Sequence, residues 1–185
     1  SRPGPTADAA SPRAPAPGLR LRPVEAADGA FLLELYASTR AGELAATGWD
    51  EATRAAFIAQ QFTAQDRDWR ARLPDAAYDL VCVGEQRVGR RYVDRSAAAI
   101  HVVDVSLLPQ WRGHGIGGWL LAGLVAEADA AGVPLTLHVE RSNPALRLYA
   151  RWGLRPTAGD AIHLFLERPP RAVAHAGPGG EMTDG

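Results

Sequence analysis

The chain has 185 residues, 46% of them hydrophobic, and a formal net charge of -1. That size and apolar content suit one soluble domain with a core of its own. The balanced charge gives nothing to draw in nucleic acid or an anionic membrane. No apolar run is long enough to span a bilayer, and no basic-then-apolar leader opens the sequence, so a cytoplasmic location is expected. All 20 basic residues are arginine, a bias that fits a GC-rich bacterial genome. The single cysteine, Cys82, sits in the run Leu80-Val81-Cys82-Val83 and reads as a small buried hydrophobe.

Residues 1–18 are Pro, Ala, Ser and Gly with scattered charge, and residues 169–185 are similar. Neither stretch carries enough apolar surface to offset its ordering entropy, so both are expected to be disordered around a domain at 19–168. Leu19-Arg20-Leu21-Arg22-Pro23-Val24 alternates as a strand does. Asp28 is placed to cap a helix with Leu32, Leu35, Tyr36 and Thr39 on its apolar face. Asp50 is placed to cap a longer helix with Ile58, Phe62 and Trp69 in its stripe, and Pro74 follows its end.

Residues 78–84 and 87–94 read as strands of a hairpin, and 98–107 as a longer strand. A helix is predicted from about Gly115 to Ala131, with Gly132 at its end. A strand at 135–140, a short helix at 143–152 and a last strand at 161–167 complete the order β-α-α-β-β-β-α-β-α-β. Hairpins impose antiparallel pairing early, and the strand–helix–strand crossover imposes one parallel pair. The fold class is therefore α/β, with a mixed, mostly antiparallel sheet flanked by helices.

The densest signal is Leu107-Leu108-Pro109-Gln110-Trp111-Arg112-Gly113-His114-Gly115-Ile116-Gly117-Gly118, between a strand and an apolar-faced helix. Glycines let backbone N–H groups approach a ligand unobstructed, and the helix start adds unpaired donors, so the turn suits a phosphate-bearing anion. Gly113, Gly115 and Gly118 also satisfy the dinucleotide pattern G-x-G-x-x-G, with Glu140 downstream. That pattern normally follows its strand directly, whereas Pro109-Gln110-Trp111-Arg112 intervene here, and only one crossover unit is present. A P-loop is excluded because the chain has no lysine.

Arg112-x-x-Gly115-x-Gly117 resembles the Q/R-x-x-G-x-G/A signature of the GNAT (GCN5-related) N-acetyltransferases. Asn143-Pro144-Ala145-Leu146-Arg147-Leu148-Tyr149-Ala150-Arg151-Trp152-Gly153-Leu154 resembles the second motif of that family. Leu154 replaces the usual Phe, and Asn143 stands one residue closer to Tyr149 than in the common form. The resemblance is specific over 98–157 and rests on element order alone over 19–97.

It implies the GNAT fold, acetyl-CoA as co-substrate and no metal. The pyrophosphate would rest on Arg112, Gly113, His114, Gly115, Ile116, Gly117 and Gly118, with Asn143 nearby. The pantetheine arm would lie along the backbone of Val105, Ser106 and Leu107, where the strand splays from its neighbour at a bulge. Tyr149 matches the general acid of the family, and His101 falls where some relatives carry a catalytic glutamate.

The chemistry asks for a group that deprotonates the amine, donors for the oxyanion, and a proton for the leaving thiolate. A tyrosine hydroxyl stays protonated at neutral pH and suits the last role. Imidazole titrates near neutrality, which makes His101 a candidate base. Asp104, a carboxylate amid valines, needs a partner or a job and is the second candidate. His138 and Glu140 are weaker ones. Arg40, Glu43 and Trp49, on the link between the first two helices, are candidates for acceptor binding.

The expected activity is transfer of an acetyl group to a primary amine of a small molecule or peptide, through a tetrahedral intermediate. The alternative is a non-catalytic acyl-CoA-binding sensor or assembly partner. No nucleic acid or membrane partner is expected, and a homodimer is left open.

Overall fold

In the computed structural model, which describes residues 13–171, the alternating segment Leu19–Pro23 forms β1. Helix α1 (Gly29–Ala45) and helix α2 (Glu51–Arg72) follow. Asp50 caps α2 as expected, its side chain accepting the Thr53 N–H at 2.7 Å. Asp28 does not cap α1 through its side chain. Its carboxylate is buried and accepts instead from Arg22 (2.7 and 2.8 Å), from Arg87 and from the Glu25 N–H. It ties β1 to the strand that begins beyond Gly84.

That strand is β3 (Gln86–Arg95), which forms a hairpin with β2 (Ala77–Val83). Then come β4 (Ile100–Leu107), α3 (Ile116–Ala131), β5 (Leu135–Glu140) and α4 (Leu146–Arg151). The predicted last strand is β7 (His163–Arg168), and a strand the sequence did not indicate, β6 (Arg155–Gly159), precedes and pairs with it. The order across the single sheet is β1-β2-β3-β4-β5-β7-β6, with β4 and β5 the one parallel pair. Among the described residues no helix is long and apolar enough to cross a membrane.

Two layers of side chains bury the sheet. On one face, Leu121, Leu124, Val125 and Ala128 of α3 pack on Val93, Val102, Leu135 and Leu137. At the other end of α3, Ile116 and Leu120 pack on Val81 and Val88. On the opposite face, Phe31, Leu32 and Leu35 of α1 cover Leu80, Cys82 and Leu108. Cys82 is buried, as its apolar neighbours indicate. The helices thus anchor the sheet from both sides and hold the end of β4 and the start of α3 in fixed relation.

Candidate active site

β4 and β5 pair only at Ile100↔Leu135, His101↔Thr136 and Val102↔Leu137. Beyond that point they part: β4 continues against β3 alone, and β5 against β7 alone. The separation coincides with a register shift in which Tyr92 pairs with Asp104 and Val93 with Val102, so Val103 is an extra residue, a β-bulge. From Val103 to Leu107 the strand therefore turns backbone groups toward a gap that no strand fills. Buried backbone donors and acceptors need partners, so an extended amide-bearing ligand is the natural complement.

At the far end of this gap the chain makes a short 3-10 turn, Pro109–Trp111, and enters α3 through a glycine turn. Gly113 and Gly115 have φ of 77° and 82°, values that glycine adopts without strain. A Cβ on Gly113 would meet nothing within 4 Å, so the turn is open there. Arg112 donates from Nε to the Leu107 carbonyl at 2.9 Å, which fixes the exit of β4. His114 is exposed, with Nδ1 2.9 Å from the Arg112 carbonyl oxygen. The Ile116 side chain is in the core, leaving only its backbone for a ligand. Gly117 and Gly118 face Leu148 of α4, where a Cβ would come within 3.4 and 4.0 Å.

α4 carries Tyr149 to the packed region beneath the gap, against the core of β5 and α3. Burial, with Asp104 adding to it, pushes the Tyr149 hydroxyl up to about 12, so it keeps its proton throughout the ordinary pH range. The helix is shorter than expected because Asn143 sits in the preceding turn, its Oδ1 accepting the Ala145 N–H at 2.8 Å. Asn143 thus has a structural duty in the turn.

The bulge places His101 and Asp104 on the same face of the sheet, the face away from α3, since their β3 partners Asp94 and Tyr92 are two residues apart. His101 lies where the two strands still pair. Its Nδ1 is 2.9 Å from the Thr136 hydroxyl, and its ring meets His138 edge-on at 5.4 Å. Burial, then the neighbouring His138, lowers its pKa below the ordinary value, which leaves it neutral at pH 7. His138, on the first β5 residue beyond the paired segment, is exposed and also packs on Phe165.

Asp104 accepts from Arg90 Nε and from the Ser106 hydroxyl, both at 2.7 Å on the same oxygen. Arg90 is 3% exposed and lies against both the Trp69 and Tyr92 rings, with its guanidinium carbon 5.2 and 5.0 Å from their centres. A guanidinium does not give up its proton, so its burial requires an anion, and Asp104 is that anion. Were Asp104 to take a proton from a substrate, Arg90 would be left as an uncompensated buried charge. This argues against Asp104 as the base and for a role in holding β4 against β3 and α2. Neither Arg90 nor Gln65, which accepts from it at 3.5 Å, was legible as part of this region from sequence.

Of the residues expected to bind the acceptor, Arg40 pairs with Glu43 at 3.0 Å, lies over the Tyr36 ring, and is close enough to Glu140 to feel its charge. The end of α1 therefore faces the end of β5 across the gap. Trp49 is 41% exposed and packs on Phe57 of α2 at 5.2 Å, beyond this group. The β6–β7 turn also reaches this rim, because the Arg141 N–H donates to the Ile162 carbonyl and Glu140 pairs with His163. Ile162 is 62% exposed there, and nothing in its sequence surroundings marked it. Among the described residues no group of three or more His, Cys, Asp or Glu is placed to hold a metal ion.

Residues 76–155 match the family model described as an acetyltransferase (GNAT) domain. A stretch of 73 residues is 38% identical to the mycothiol acetyltransferase of Brachybacterium faecium. That stretch is 38% of this chain but only 22% of the relative, so the chain spans about a fifth of the protein it matches. Solved structures agree in fold. The PaiA N-acetyltransferase from Thermoplasma acidophilum, determined with coenzyme A, superposes with a TM-score of 0.61 at 17% identity, covering 82% of this chain and 98% of that one. An acetyltransferase from Thermus thermophilus gives 0.56 at 21%, covering 82% and 96%. The putative acetyltransferase YncA of Salmonella typhimurium, determined with acetyl-CoA, gives 0.52 at 22%, covering 85% and 97%.

Proposed function

We propose that this chain, whose residues 76–155 match the GNAT acetyltransferase domain, is a member of that family and transfers an acetyl group from acetyl-CoA to a primary amine, in the cytoplasm and without a metal. The observation that carries the reading is the parting of β4 from β5 directly before a positive-φ glycine turn. The gap offers backbone partners to an amide-bearing arm, and the turn offers N–H groups to a pyrophosphate. The two sites follow each other along β4, as the two parts of coenzyme A do.

Acetyl-CoA supplies an activated thioester. The chain's own residues would do the rest. The backbone of Val105, Ser106 and Leu107 would hold the arm, and Arg112 and the N–H groups from Gly113 to Gly118 would hold the phosphates. Tyr149 retains its proton up to about 12, so it would donate to sulfur as the carbon–sulfur bond breaks. The amine's proton would pass to the His101 side of the gap, where a neutral imidazole is available. Asp104 would serve as the counter-ion of Arg90. Arg40, Glu43 and Glu140 would line the acceptor entrance, with Trp49 at its outer limit.

The test is thiol release from acetyl-CoA in the presence of a panel of amines. Release dependent on one amine class supports the reading. Tight acetyl-CoA binding with no release from any amine would favour an acyl-CoA-binding sensor instead.

A further inference from the structure

The segment before β1 does not leave the molecule at Gly18. The Gly84 N–H donates to the Gly18 carbonyl at 3.0 Å, and the Leu19 N–H to the Ala16 carbonyl at 3.2 Å. Gly18 has φ of 72°, and a Cβ there would lie 3.1 Å from the Gly84 nitrogen, so the chain is turned sharply against the β2–β3 hairpin. The turn directs it across the end of the sheet to the glycine turn before α3. There Pro15 packs on Gly115: a Cβ on that glycine would stand 3.3 Å from the proline Cβ. Arg13, exposed, is two residues further.

We propose that residues 13–18 form part of the cofactor site, as a strap across the glycine turn that brings Arg13 to the phosphates of coenzyme A. This rests on the acetyl-CoA reading given above. Three observations carry it. The strap is fixed at its base by backbone hydrogen bonds, so its path to the turn is set by the fold. Pro15, with no donor, contacts Gly115 and cannot itself satisfy the open N–H groups of the turn. Coenzyme A carries several phosphate charges, yet within the turn itself only Arg112 is a permanent cation, and its Nε is already donated to Leu107. A second guanidinium arriving from the strap supplies what the turn lacks, since guanidinium is well matched to phosphate.

Two measurements on the full-length protein test this. In calorimetric titration with coenzyme A at low salt, Arg13→Ala weakens binding about threefold to fivefold, the scale of one exposed charge pair. Arg13→Glu weakens it further, and both differences shrink at high salt. The melting temperatures of both variants stay at the wild-type value. Second, trypsin reports the strap directly, because Arg13–Ala14 is a cleavable bond whereas Arg2 precedes proline. Coenzyme A slows cleavage after Arg13 if the strap closes over the ligand.

Unchanged affinity in both variants overturns the proposal, as does tighter binding or faster cleavage with coenzyme A, which would mean that the strap blocks the site. Failure of the wild-type protein to bind coenzyme A would instead overturn the acyl-transfer reading beneath it.

Discussion

His101 and Asp104 stand three residues apart on β4 and nevertheless face the same side of the sheet, because Val103 is extra in the register with β3. In a regular strand that spacing would put them on opposite faces. Their surroundings separate their roles: His101 is neutral and bonded to Thr136, whereas Asp104 is spoken for by Arg90 and Ser106.

Asp104→Asn is therefore expected to act on stability. It removes the carboxylate that pairs with a guanidinium that is 3% exposed, at a cost of about 3 kcal/mol in denaturant unfolding. Arg90→Met combined with Asp104→Asn should recover most of that loss. His101→Ala should leave stability less affected and remove the rise of rate that accompanies deprotonation of the imidazole, which its lowered pKa places below about pH 6.5. A flattened profile in the Asp104 variant with an intact one in the His101 variant would reverse the assignment.

Tyr149→Phe keeps the ring in its packed position and deletes only the hydroxyl. Coenzyme A affinity should be retained, and kcat should fall by about 10²-fold if the hydroxyl protonates the leaving thiolate. A kcat within twofold of wild type would make Tyr149 a packing residue.

Acetyl-CoA should raise the melting temperature, because it binds only the folded state, while NAD and NADP should not. Gly117→Asp should abolish the shift by placing a carboxylate at the start of α3. Gly115→Asp is a poorer probe: φ of 82° strains any side chain, and the new Cβ would press on Pro15. A fold defect there would be mistaken for a binding defect.

Asp28 gives a pH prediction. The Arg22 hydrogen bonds, against opposing burial, hold its carboxyl well below the usual range. A carboxyl with a depressed folded pKa stabilises the protein above its unfolded value and loses that contribution as pH falls through the folded one. Unfolding free energy should accordingly decline from about pH 4 downward. Asp28→Asn should cost roughly 2–3 kcal/mol at pH 7 and make the acid limb shallower. An acid limb identical to wild type would show that the stabilising interaction lies elsewhere.

The sequence made the fold legible where periodicity or turn chemistry was strong. The α3 and β5 boundaries, the Asp50 cap and the hairpin at Gly84 all follow from residue pattern. β6 was not legible: Arg-Pro-Thr-Ala-Gly has no alternation and is exposed throughout, as an edge strand held by its neighbour alone can be. Asp28 looked like a helix cap because caps are local, whereas its real partners include Arg87, 59 residues away. In the site, the glycine turn and Tyr149 were readable as motifs. Arg90 was not, because an arginine inside a strand reads as solvent-facing until the Trp69 and Tyr92 rings around it are known. The contact of Pro15 with Gly115 joins positions a hundred residues apart and left no local trace.

The parting of β4 and β5 also gives this sheet an unusual outline. An open sheet ordinarily has two edges; this one has two more in its middle, along 103–107 and 138–140. Edges recruit extended chains, and most proteins guard theirs with charge, proline or a covering element. Here the inner edges lie between the α3 layer on one face of the sheet and the α1–α2 layer on the other, so a partner must come in between two layers of helices. The backbone groups proposed to hold the cofactor arm are thereby screened from a second sheet. Amide exchange along 103–107 should be fast in the free protein and slow once the gap is filled.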